Sequence, residues 1–171
     1  MRFKCRYDMP FCEIVGFTCT RKTFSIAMAL MTHEDEDTYI WVLQQLSHLF
    51  GSKMPEVIVT DRELGLIKAL GTVYPHVQHN LCHVHILRKC EEHAFERYKD
   101  VAIQRRFKNE CYGLFLSMSE ESYEARRGGL WAWWPALMPK IQRVWLTPYK
   151  RNIVRAWTDT IFHIGTWTTN R

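Results

Sequence analysis

The sequence lacks several things that would place it in a common class. None of its six cysteines (Cys5, Cys12, Cys19, Cys82, Cys90, Cys111) forms a C-x-x-C pair, which argues against a zinc ribbon or a thioredoxin-like redox motif. No apolar run approaches the length needed to span a bilayer. There is no G-x-S-x-G elbow, no P-loop and no glycine-rich dinucleotide fingerprint. Repeats, low-complexity tracts and an obvious interdomain linker are absent too. The opening residues, MRFKCRYDMP, are charged and broken by proline, so they do not read as an export or transit signal. The expectation is a reduced-thiol, cytosolic or nuclear protein.

The chain does have enough apolar material to fold. Of its 171 residues, 47% are hydrophobic and 13% aromatic, enough for the core of one domain. Its net charge of +5 is unevenly distributed. Residues 1–94 carry 10 Lys/Arg against 11 Asp/Glu, and residues 95–171 carry 13 against 7. In the basic half, cations alternate with aromatics: Arg126, Arg127, Trp131, Trp133 and Trp134, then Arg143, Trp145, Tyr149, Lys150, Arg151 and Arg155. Such interleaving suits phosphate contacts with base stacking. It equally suits tryptophans filling a helical core beneath a coat of Lys and Arg.

Hydrophobic periodicity supplies the element order. Residues 12–19 and 24–31 read as strands, and the short polar connection Thr20 to Thr23 makes them an antiparallel hairpin. Tyr39, Trp41, Val42, Leu43, Leu46, Leu49 and Phe50 form an apolar stripe at helical spacing behind an acidic start, predicting a helix over 36–50. EVIVTD is a short strand ending on Asp61; a helix closed by Pro75 follows, then a strand over 76–81. Beyond Cys82 the chain reads as helical, interrupted at Gly113, Gly128–Gly129, Pro135 and Pro139.

Two places could carry chemistry. Asp61 lies at the C-terminal tip of a buried strand, where α/β sheets collect ligands. It either caps the following helix through its side chain or holds a divalent metal with carboxylates from elsewhere. The second place is H-x-x-C-H-x-H: His79, Cys82, His83 and His85. Cys82 and His85 at a helix start suit zinc, but tetrahedral zinc needs three or four ligands. The alternative is a buried Cys82 with His85 hydrogen-bonded in the core. A thiol hydrolase built on Cys82 is disfavoured, since adjacency in sequence is not the geometry of a dyad.

The residues also carry a resemblance. Met9 to Leu46 (MPFCEIVGFTCTRKTFSIAMALMTHEDEDTYIWVLQQL) resembles the second and third strands and first helix of Mutator-like element (MULE) transposases and their plant far-red-response relatives. Val57 to Cys90 (VIVTDRELGLIKALGTVYPHVQHNLCHVHILRKC) resembles the segment holding that family's second catalytic aspartate and C-x-x-H signature. Ala156, Trp157, Gly165, Thr166, Thr168, Thr169, Asn170 and Arg171 resemble the approach to its catalytic glutamate.

The resemblance implies an α/β, RNase H-like mixed sheet flanked by helices, with a mostly helical insertion in its C-terminal half. Residues 1–94 would be the α/β part, and 95–171 the insertion and the approach to the last catalytic helix. It further implies a DDE-type nuclear enzyme in which Mg²⁺ or Mn²⁺ ions serve cleavage and strand transfer at transposon ends and target DNA, in some cases as an oligomer. Asp61 would be the second carboxylate, and Cys82 and His85 the C-x-x-H pair, for which zinc is an alternative role. The first aspartate is expected just before Met1 and the glutamate just past Arg171, with Asp8 on the wrong side of its motif to substitute. The domain is therefore expected to be truncated at both ends and inactive as it stands. A domesticated DNA-binding regulator is the competing reading, and a small ligand-binding domain unrelated to DNA comes last.

Overall fold

The computed structural model describes residues 9–18, 20 and 22–160. They form an α/β protein divided into two compact units. The first takes in residues up to 56 together with 62–77; the second takes in 57–61 and the chain from 78 onward.

The first unit opens with the expected hairpin, β1 (Phe11–Phe17) antiparallel to β2 (Thr23–Leu30). Its register shifts between Ile14 and Val15, a bulge that increases local twist. Gly16 lies opposite Phe24, and a Cβ on Gly16 would come within 2.5 Å of the Phe24 ring. The ring therefore lies across the bare backbone. Helix α1 (Glu36–Phe50) begins where Asp35 Oδ1 accepts the Thr38 amide at 2.9 Å. Those Thr38 bonds hold the Asp35 carboxyl below the usual carboxylate range. The helix stops at Gly51, whose φ of 58° is costly for residues carrying a Cβ.

The inner face of α1, Tyr39, Val42, Leu43 and Leu46, packs with helix α2 (Leu64–Val73), whereas Trp41 and Leu49, expected on the same stripe, fall outside this buried face and stay exposed. Gly65 allows this approach, because a Cβ there would sit 3.1 Å from the Asp35–Glu36 backbone. Tyr74 closes α2 and donates its hydroxyl to Leu43 O at 2.8 Å. Ile14, Ala27, Met28, Trp41, Leu46 and Leu49 are among the residues lining an apolar groove of about 270 Å³ in this unit.

In the second unit, β3 (Val57–Thr60) runs parallel to β4 (Gln78–Leu81). Helix α3 (His83–Tyr98) follows, and the Cys82 amide donates to Thr60 O at 2.7 Å. Lys99 in the left-handed region and Asp100, which caps two amides, separate α3 from α4 (Val101–Phe115). Helix α5 (Glu120–Trp133) starts with a reciprocal Ser119–Ser122 capping box. Helix α6 (Met138–Ile141), a π-helical turn over Gln142–Leu146, α7 (Thr147–Ile153) and α8 (Arg155–Thr158) complete the described chain. Phe107, Phe115, Tyr123, Leu137, Met138 and Ile153 are fully buried in this unit. So are Cys90 and Cys111, where the hydrogen bond shared with Cys90 and burial both push the Cys111 thiol up.

Three expectations change. Helix α4 runs through Gly113, and α5 runs through Gly128 and Gly129. Glycine keeps its N–H and so leaves the helical ladder intact; the cost of about 1 kcal/mol each is offset by buried residues on the same helices, such as Phe107, Leu114, Tyr123 and Leu130. Pro135 does fall in the break after α5, whereas Pro139 lies in the first turn of α6, where its missing N–H costs nothing. Among the described residues the strands form two separate pairs, one antiparallel and one parallel, and no continuous mixed sheet. Asp8, Cys5, Cys19, and the expected approach to the glutamate from Gly165 to Arg171 lie outside the described residues. Among the described residues no helix is long and apolar enough to cross a membrane.

Candidate functional site

Three hydrogen bonds build the β3 tip. Thr60, the last residue of β3, donates its hydroxyl to Asp61 O at 2.7 Å. The same Oγ1 lies 2.8 Å from His79 Nε2. A hydroxyl has one proton to give, so His79 is the donor in the second bond and exists as its neutral Nε2–H tautomer. Burial agrees, pushing the His79 pKa down to about 4. From the other side, Asn152 Nδ2 on α7 donates to His79 O at 2.8 Å. Asp61 thus projects from a backbone held by two strands and by helix α7, whose Asn152 lies 73 residues beyond His79.

The Asp61 carboxylate itself is exposed and makes no hydrogen bond among the described residues. It does not cap the following helix: the cap position of α2 is Glu63, which makes no side-chain bond either. Its electrostatic neighbour is His85, in the first turn of α3. Burial lowers the His85 pKa, and the Asp61 charge opposes that shift. His85 Nδ1 is buried without a hydrogen-bond partner. The core-bonded imidazole expected at His85 is found instead at His83, whose Nε2 lies 2.6 Å from Ile153 O. The His83 ring also packs against Phe115, at 5.4 Å between centroids.

This arrangement decides which residues could hold a metal. Cys82 is fully buried at the N-terminus of α3, His79 is committed to Thr60, and His83 to Ile153. No group of three His, Cys, Asp or Glu side chains converges among the described residues. These residues alone therefore do not fit a tetrahedral zinc or a two-ion carboxylate site.

The basic-aromatic arrays are largely satisfied internally. Trp134 and Trp145 are buried, and Trp134 Nε1 donates to Glu110 at 2.6 Å. Arg127 pairs with Glu124, Lys150 with Glu120 and Arg155 with Asp159. Trp133 is different, at 70% exposed. No signal in the sequence marked Asn152 or Thr60, because each acts through a contact with residues remote in the chain or through its own backbone.

Residues 3–89 match the MULE transposase domain, a little over half of the chain. The chain belongs to this family. The MULE match takes in the hairpin, α1, α2, β3, β4 and the start of α3, and with them Asp61, Cys82 and His85. Curated relatives of this MULE chain include two plant proteins from Arabidopsis thaliana that cover most of it. Protein FAR-RED IMPAIRED RESPONSE 1 is 22% identical over 95% of this chain and 19% of its own length. Protein FAR1-RELATED SEQUENCE 4 is 25% identical over 72% of this chain and 17% of its own. A third, Protein FAR1-RELATED SEQUENCE 5 from the same plant, is 27% identical over 54% of this chain and 12% of its own. The chain thus spans no more than about a fifth of the length of these relatives.

Proposed function

We propose that this chain is a segment of a DDE-type transposase core, a single partial RNase H-like domain, that binds DNA and does not cut it unaided. The observation carrying the reading is Asp61: an exposed carboxylate on a firmly held strand tip, in no group of three metal-ligating side chains among the described residues. A divalent ion held by carboxylates on other elements would activate an attacking hydroxyl. Here Asp61 would contribute one oxygen ligand and the His79–Thr60 pair would fix its backbone. The partner is DNA, at element ends and target, and the setting is the nucleus. The basic half of the chain, with 13 Lys/Arg against 7 Asp/Glu, suits that partner.

The test compares binding with cleavage. The chain should bind duplex DNA in chelator with strong salt dependence, and should leave supercoiled plasmid intact in Mg²⁺ or Mn²⁺. Cleavage that disappears in Asp61→Asn would show a complete site and overturn the claim of inactivity. Absence of DNA binding at low salt would overturn the partner.

A domesticated transposase-derived regulator is the second reading. It is favoured by the likeness to proteins named for far-red responses, which covers 95% of the chain in one case. It predicts sequence-selective duplex binding that chelator does not weaken.

A further inference from the structure

A cluster of unpaired positive charge in the second unit lies at the α3–α4 corner, outside the arrays that the sequence pattern draws attention to. Residues 97–108 contain Arg97, Lys99, Arg105, Arg106 and Lys108 against a single acid, Asp100. Asp100 is occupied in capping α4 through the Ala102 and Ile103 amides. Lys108 pairs with Glu91, and Arg106 with Glu110. Arg97, Lys99 and Arg105 are exposed and make no ion pair among the described residues.

Aromatic rings share this corner. Tyr98, 38% exposed, meets Trp134 edge-on at 6.2 Å. The Arg106 guanidinium lies over Trp134 at 5.5 Å and over Trp133 at 5.6 Å. The buried Trp134 ring and the Glu110 carboxylate hold Arg106 in place, and Arg106 in turn steadies Trp133. A tryptophan 70% exposed adds little to folding. Lys99, whose ammonium lies over the Phe95 ring at 5.4 Å, and Arg97 and Arg105 are exposed along α3, α4 and the turn between them, the stretch that also carries Arg106.

We infer that this corner binds an unpaired stretch of DNA, with Arg97, Lys99 and Arg105 on phosphates and a base stacked on Trp133. The charge calls for a polyanion, and the ring calls for a base free of its partner strand, since a paired base keeps its faces inside the stack. The assignment rests on the DNA-binding reading above and places one binding surface away from Asp61.

The experiment is fluorescence anisotropy on the full chain with a labelled oligothymidylate 20-mer and a 20-base-pair duplex, over a salt series. Trp133→Ala should weaken single-strand binding about tenfold and leave duplex binding within about twofold, while Trp133→Phe restores most of the loss. Combined Arg97→Glu, Lys99→Glu and Arg105→Glu should lower the slope of log affinity against log salt for the single strand by about 2. All these side chains are exposed, and a retained cooperative melting transition shows that the variants fold. An unchanged single-strand affinity and salt slope in the triple variant would overturn the corner site and leave DNA binding standing. Equal losses on duplex and single strand in Trp133→Ala would overturn the stacking assignment. Failure of the unaltered chain to bind either oligonucleotide would overturn both this inference and the DNA-binding reading.

Discussion

His79 is the residue most exposed to pH. Buried against Thr60, its imidazole has a pKa near 4 rather than the ordinary 6.5. The folded chain therefore binds fewer protons than the unfolded chain between those values. Its contribution is fully present above pH 6.5 and is lost as pH falls toward 4, amounting to roughly 3 kcal/mol at most. Burial lowers the pKa of His85 and His93 as well, and both act in the same direction. Urea midpoints measured at pH 7.5 and pH 5 should show the chain clearly less stable at pH 5. Replacing His79 by Gln, which offers a neutral N–H, should flatten that dependence. At the same scale, Asn152→Ala removes the donor to His79 O and should cost about 1–2 kcal/mol, read as a lower melting temperature without change at the α1–α2 contact.

Helix ends and helix interiors respond in opposite ways to substitution. Asp100 satisfies two amides at the start of α4, so Asp100→Ala should destabilise by about 1 kcal/mol. Gly128 and Gly129 sit mid-helix with nothing within 4 Å of where a Cβ would stand. Alanine at either position should therefore stabilise by roughly 0.5–1 kcal/mol, measurable as a rise in melting temperature. The amphipathic helix over 36–50 and the strand ending at Thr60 were legible in the sequence because each announces itself locally: a 3.6-residue stripe, or a β-branched run bounded by breakers. The continuity of α4 and α5 was not legible, because a glycine's cost is visible in the sequence and the packing that outweighs it is not. The same holds for the Cys82 to His85 segment. Four candidate side chains could be found from spacing, but whether His83 or His85 reaches a core carbonyl depends on Ile153, 70 residues away.

At the level of the molecule, the MULE assignment was readable from the middle block of the chain, Val57 to Cys90, while the binding corner at Arg97 to Arg106 lies largely beyond that resemblance. Charge counting pointed to the C-terminal half as a whole. Ion pairs to Glu120, Glu124 and Asp159 then neutralise much of it, a selection that depends on side-chain reach and not on composition. The first unit leaves Met28, Trp41 and Leu49 about 60% exposed around its apolar groove. It should bind a hydrophobic dye such as ANS in the native state, and Leu49→Lys should reduce the fluorescence without lowering the melting temperature.

The buried thiols of Cys82, Cys90 and Cys111 make the second unit its own clock. All three are fully buried, so an alkylating reagent can reach Cys90 and Cys111 only when helices α3 and α4 separate, and Cys82 only when the start of α3 opens. In a variant with Cys5, Cys12 and Cys19 replaced by Ser, the modification rate would count those openings directly. Pairing with Cys90 keeps the Cys111 thiol protonated, so a slow modification phase there would distinguish opening of the α3–α4 seam from fraying at the Cys82 end.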